Sequence, residues 1–115
     1  MVDEARTRVN EVDLAQARER LANNPDAILM DVREDTEWAA GHAAGAIHLG
    51  KGILERDIES AVPDKAAEVI MYCGGGFRSV LTAEVAQRIG YTNVHSLIGG
   101  HKALVNAGWE LESGE

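Results

Sequence analysis

The chain has 115 residues, enough for one compact domain with a hydrophobic core and too few for two domains of ordinary size, so a single domain over 1–115 is expected. Apolar residues make up 45% and charged residues 26%, which excludes the disordered and fibrous classes, and 4% aromatics leaves the core to aliphatic side chains. The formal charge of -8, uninterrupted by any Lys/Arg cluster, repels nucleic acid and anionic lipid, and neither is an expected partner.

The opening MVDEARTRVNEVD is charged from Asp3 onward and lacks an apolar run, and no later stretch reaches membrane-spanning length, so a cytoplasmic protein is expected. A monomer is the default for a small domain of this kind. One cysteine excludes an internal disulfide, and no Cys/His spacing suggests a metal; neither metal nor cofactor is expected.

After a polar lead-in with an edge strand expected at Arg8–Val9, Asp13 sits three residues before Gln16 and opens an amphipathic helix with Leu14, Ala17 and Leu21 on one face. Asn23-Asn24-Pro25-Asp26 breaks it, because the residue before proline is pushed out of the α region. Ala27 to Val32 is a short apolar run of the kind buried on both faces of a parallel sheet. Asp35 or Thr36 is expected to cap a short helix through Glu37 and Trp38 that ends at Gly41, and Ala46 to Leu49 reads as a strand between glycines. Ile53, Leu54, Ile58, Ala61 and Val62 recur at helical spacing before Pro63, and Glu68 to Tyr72 reads as the next strand. Ser79 to Ile89 is helical, with Arg78 or Ser79 as its cap and Gly90 just past its end. Val94 to Leu97 gives a last strand, Ile98-Gly99-Gly100 a tight turn, and His101 to Ala107 a final helix closed by Gly108. The tail from Leu111 to Glu115 is polar and expected to fray. Strands alternate with helices throughout, so the fold class is α/β with a mainly parallel sheet covered on both faces.

The stretch with chemical content is Cys73-Gly74-Gly75-Gly76-Phe77-Arg78-Ser79, at the carboxyl end of a strand and just before a helix, where α/β sheets place their ligands. Three successive glycines let the backbone turn several N–H groups inward, and the following helix adds the positive end of its dipole, so a thiolate or an anion attached to it is favoured. The bland reading is a small buried thiol followed by a flexible connection. A mere connection does not need three glycines, each of which costs conformational entropy on ordering, and the anion cradle is the better account. Arg78 either pairs with an anionic substrate or buttresses the loop through an acidic partner.

The chain resembles a single-domain rhodanese, the sulfurtransferase family that carries sulfur as a cysteine persulfide. The likeness runs from about Val9 to Trp109 and rests on four ordered motifs. Asp31-Val32-Arg33 resembles the family's D-V-R. Glu37-Trp38 followed by Gly41-His42-Ala43-Ala44-Gly45-Ala46-Ile47-His48-Leu49 is similar to E-[FYW]-x-x-G-H-I-x-G-A-I-x-[IL]. Cys73 to Ser79 matches the catalytic C-x-x-G-x-R-S, and Leu97-Ile98-Gly99-Gly100 through Ala107-Gly108-Trp109 resembles the closing segment. His101 stands where a bulky apolar residue is usual, Leu104 where tryptophan is common, and Ala43 where isoleucine is usual; all three read as packing variation.

The resemblance implies a three-layer domain, core about 9–109, with a five-stranded sheet. It further implies a sulfurtransferase in which Cys73 takes sulfane sulfur from thiosulfate or a persulfide and passes it to a thiol acceptor. Gly74, Gly75, Gly76, Phe77, Arg78 and Ser79 would then form the substrate loop, while Asp31, Arg33, Glu37 and His42 hold its surroundings. His48, His95 and His101 read as structural, and Trp38 and Trp109 as packing residues. Two other readings are a non-catalytic interaction or sulfur-carrier module and a Cys-dependent phosphatase or arsenate reductase, whose loop is C-x5-R; here only four residues separate Cys73 from Arg78.

Overall fold

The computed structural model describes residues 9–75 and 77–114, apart from the side chains of Lys51 and Phe77. In chain order the elements are β1 (Asn10–Val12), α1 (Leu14–Asn23), β2 (Ile28–Asp31), α2 (Asp35–Ala40), β3 (His42–Ala43) and β4 (Ile47–His48). A 3-10 turn (Lys51–Ile53) leads into α3 (Leu54–Ala61), followed by β5 (Val69–Tyr72), α4 (Phe77–Ile89), β6 (Val94–Leu97), α5 (Gly100–Asn106) and β7 (Leu111–Glu112). Five strands form one parallel sheet in the order β1-β6-β5-β2-β4, so β5 is central.

Burial on both faces explains the unbroken apolar runs. On β5, Val69 and Met71 join a core with Leu54 and Ile58 of α3 and Val80 and Ala83 of α4, whereas Ile70 and Tyr72 join a second core with Ala17 of α1 and Leu104 of α5. Helices α3 and α4 therefore cover one face and α1 and α5 the other. No helix among the described residues is long and apolar enough to cross a membrane.

The differences from expectation are local. The edge strand expected at Arg8–Val9 begins at Asn10: its main chain is held in register with β6 from Asn10↔His95 to Val12↔Leu97, Val9 lies in the bend before it, and Arg8 lies outside the described residues. Helix α2 is capped by Glu34, not by Asp35 or Thr36, because the Glu37 carboxylate reaches back to accept from the Glu34 N–H at 3.1 Å. Helix α4 begins at Phe77, which puts Arg78 and Ser79 inside its first turn instead of at its cap. The tail expected to fray is partly paired: Leu111–Glu112 runs antiparallel to His42–Ala43, and the Gly114 N–H donates to the Ala39 carbonyl at 2.8 Å. A short apolar-poor strand carries no periodic signal, yet its main chain supplies the partners that the backbone around His42 needs.

At the end of the sheet opposite Cys73, a polar network ties β1, α1 and β6 together. Glu68 accepts from Arg20 at 2.7 Å and Asn24 at 3.3 Å, and His95 lies 3.5 Å from Glu68, 2.9 Å from Asn93 and 2.5 Å from the Asn10 amide. Burial, reinforced by the Arg20 charge, holds the His95 imidazole below its ordinary pKa despite the Glu68 carboxylate. The sign follows: the unfolded chain binds this proton more readily, so the contribution of neutral His95 is complete above the ordinary value of 6.5 and lost as pH falls through the lower folded value. The drop in melting temperature between about pH 7.5 and about pH 5 should be smaller in His95→Gln than in the parent. An equal drop in both would show that His95 makes no such contribution.

Candidate active site

The buried strand β5 delivers Cys73 to the carboxyl end of the sheet, where the thiol is 1% exposed at the edge of the core under α4. The first turn of α5 holds the start of the loop. The His101 N–H donates to the Cys73 carbonyl at 2.6 Å, and the Lys102 N–H to the Gly74 carbonyl at 3.2 Å. This approach requires Gly100, whose φ is +52° and whose added Cβ would lie 2.2 Å from the Cys73 carbonyl oxygen. The tight turn expected at Ile98-Gly99-Gly100 is thus the contact that fixes the loop.

Sγ of Cys73 lies 3.7 Å from Ser79 Oγ, and Ser79 Oγ lies 2.8 Å from Ser96 Oγ, with both serines fully buried. Beyond Cys73 the loop opens outward: Gly74 is half-buried and Gly75 exposed, while Gly76 and the Phe77 side chain lie outside the described residues. Arg78 turns back across the loop, its guanidinium passing 3.3 Å from where a Gly74 Cβ would sit, and both terminal nitrogens donate to Glu37, at 3.0 and 3.2 Å. The hydrogen bond from Arg78 holds the Glu37 carboxyl below its ordinary range, and the same bond raises Arg78. Of the two roles open to Arg78 in the sequence, its paired hydrogen bonds to Glu37 are those of the buttress.

Asp31 and Arg33 form a second, deeper pair. The Arg33 guanidinium donates to both Asp31 oxygens, the closest contact 2.8 Å, and to the Gly41 carbonyl at 2.5 Å; the side chains are 5% and 0% exposed. Burial lowers Arg33 but Asp31 outweighs it, so the Arg33 pKa is raised and its guanidinium stays charged. His42 donates from Nδ1 to the Trp38 carbonyl at 2.8 Å and stacks on the Trp38 ring at 3.4 Å, with His48 stacked on Trp38 at 4.8 Å. Tyr72 accepts from the Ala43 N–H at 3.0 Å, and burial raises its phenol so that it stays neutral. Asp31, Arg33, Glu37 and His42 thus connect β2, α2 and β3 beneath the loop, and only Glu37 touches a loop side chain among these contacts.

Two residues beside the thiol were not anticipated. Ser96 sits in an apolar strand pattern, and only its register with Met71 of β5, two residues before Cys73, places it against Ser79 behind the thiol. His101, read as structural, grips the Cys73 carbonyl through its main chain, while its ring lies 6.3 Å from Tyr72 and its Nδ1 is buried without a hydrogen-bond partner among the described residues. Burial, then the Arg33 charge, hold its pKa below the ordinary value, so it is neutral near pH 7.

With this geometry in place, comparison with known proteins is decisive for the family. The family model of the rhodanese-like domain matches residues 13–107. The chain belongs to the rhodanese-like domain family. A sulfurtransferase of Allochromatium vinosum is 30% identical over 107 residues, covering 93% of this chain and 98% of that protein. The thiosulfate sulfurtransferase GlpE of Coxiella burnetii is 35% identical over 80 residues, 70% of this chain and 73% of the relative. The tRNA uridine(34) hydroxylase of Prochlorococcus marinus is 36% identical over 88 residues, but this chain covers only 28% of its length. Among solved structures, a Rhodopseudomonas palustris protein of unknown function, described as a possible tyrosine phosphatase, superposes with a TM-score of 0.82 at 27% identity over 96% of this chain and 90% of that one. These matches fix the rhodanese-like α/β fold, and two of the relatives are named as sulfurtransferases.

Replacing Gly100 by alanine should destabilise the protein by about 2 kcal/mol or more, because the Cβ meets the Cys73 carbonyl in addition to the strained φ. Gly108→Ala, also at positive φ but with nothing near its Cβ, should cost only about 1 kcal/mol. Denaturant unfolding of the two variants checks the difference, and equal losses would mean that the α5 contact does not fix the loop.

Proposed function

We propose that this rhodanese-like domain, with its core over about 9–109, is a sulfurtransferase that carries sulfane sulfur on Cys73. The Cys73 thiolate attacks the sulfane sulfur of a donor, forming an Sγ–S bond while the donor's own bond to that sulfur breaks and its electron pair leaves with the donor remnant. An acceptor thiolate then attacks the outer sulfur and releases Cys73 as the thiolate, so the cycle is ping-pong and needs no external oxidant, reductant or cofactor. The loop amides of residues 74–78 and the amino end of α4 stabilise sulfur's negative charge, and the exposed glycine at 75 marks the way in for the donor. The observation that carries the reading is the position of Cys73: it ends the central strand inside an intact C-x-x-G-x-R-S loop that α5 clamps from one side and Glu37 braces from the other. The names of the Allochromatium and Coxiella relatives support the same chemistry.

Donor selection follows from charge. Gly74 and Gly75 follow the cysteine where a cation would grip thiosulfate, and Arg78 is engaged by Glu37. A protein-bound persulfide is therefore the preferred donor, and a thiol the acceptor. A missing charged hydrogen bond of about 1.5–3 kcal/mol should leave kcat/KM for thiosulfate about tenfold or more below that for a persulfide. A preference for thiosulfate would refute this assignment.

The likeness to a possible tyrosine phosphatase raises phosphoryl transfer as a second reading. A loop with four residues between Cys73 and Arg78, its arginine turned to a carboxylate, suits a sulfur atom on cysteine better than a phosphoryl group with its ring of oxygens. Intact-protein mass after exposure to a sulfur donor tests the proposal. One added sulfur atom, lost on reduction and absent in Cys73→Ser, is expected. No adduct with any donor would point to an interaction module, and aryl phosphate hydrolysis lost in Cys73→Ser would point to a phosphatase.

A further inference from the structure

The two serines behind the thiol are brought together by the sheet. Val69, Met71 and Cys73 alternate toward the core under α4, Val94 of the neighbouring strand does the same, and Ser96 follows two residues on, in register with Met71. There it meets Ser79 from the first turn of α4, forming a chain Cys73 Sγ, Ser79 Oγ, Ser96 Oγ with steps of 3.7 and 2.8 Å.

A hydroxyl has one proton to give and lone pairs to receive with, so the direction of this chain depends on sulfur. While Cys73 is a thiol, its S–H donates to Ser79, which gives its own proton to Ser96. When the thiol ionises and its proton leaves to solvent, sulfur becomes an acceptor only. Ser79 then turns its O–H to Sγ, and its oxygen, no longer receiving from sulfur, accepts from Ser96. Without Ser96 each state loses one hydrogen bond at Ser79, but the thiol state loses a neutral one, whereas the ionised state leaves a buried oxygen unpaired on the hydroxyl that carries the charge-assisted bond to sulfur, so the ionised state loses more.

We propose that Ser96 is a positioning residue for the sulfur chemistry, acting through Ser79 to hold a donor on the ionised Cys73 sulfur. The inference rests on Cys73 working as a thiolate in the proposed function, but its test does not require sulfur transfer. Because the chain has one cysteine, the thiolate's ultraviolet absorbance reports Cys73 alone in a pH titration of the full chain. Ser96→Ala should move the midpoint up by about half a pH unit and Ser79→Ala by about one. Adding Ser96→Ala to Ser79→Ala should move it by no more than about a tenth further, since the path through Ser79 is already cut. Ser96→Thr, which keeps the hydroxyl, should return the parental midpoint. An unmoved midpoint in Ser96→Ala, an equal shift in the Ser79→Ala background, or a Ser96→Thr midpoint as high as that of Ser96→Ala would each overturn the inference. Normal shifts with no sulfur adduct would leave it standing and remove only the sulfurtransferase reading.

Discussion

The Cys73 carbonyl and the first turn of α5 meet at a distance that only glycine allows, and the arrangement of the site follows from that contact. A Cβ at residue 100 would overlap the carbonyl oxygen at 2.2 Å, so without a side chain there the helix can come close enough for the His101 and Lys102 N–H groups to satisfy Cys73 and Gly74. Those amides are among the orphan donors at the start of a helix, and the carbonyls have just left the β5 ladder, so two sets of unpaired backbone groups resolve each other. The chain after Cys73 is thereby turned away from the sheet, and α4 begins close enough for Ser79 to reach the thiol.

The charged groups around this turn differ in consequence because they differ in burial. Asp31 and Arg33 are almost fully enclosed, and removing either would strand the other at a cost of about 3–5 kcal/mol, so this pair holds the chain from β2 to Gly41 in place. Arg78 and Glu37 remain 33% and 37% exposed, and such a pair contributes only about 0.2–1 kcal/mol to stability. Its value lies in geometry: the guanidinium is fixed across Gly74 in a two-pronged contact that water and salt can still reach.

Much of this was legible in the sequence. The β5 and α4 patterns, with glycines between, located the thiol at a strand end, and alternation of strands and helices gave the parallel sheet. What could not be read was anything set by pairing across the fold. Leu111–Glu112 has no periodicity of its own and becomes a strand only because His42–Ala43 lies beside it. Glu34 caps α2 because Glu37 reaches back to it, whereas Asp35 and Thr36 were better candidates by residue type alone. Ser96 is indistinguishable from an ordinary strand residue until the parallel register puts it next to Met71 and under α4. His101 looked like a packing substitution in the Gly-Gly-x position, and its main-chain role would have been the same for any residue there other than proline.

The central claim is that the loop after Cys73 forms a cradle whose amides receive a sulfur anion. Amide chemical shifts of an isotopically labelled protein, recorded before and after persulfide formation on Cys73, address it most directly. Resonances of residues 74–78 should move downfield more than any others when the sulfur is added and return when it is removed by a reductant. A persulfide formed in full with those amides unmoved, or with the largest changes far from the loop, would contradict the claim.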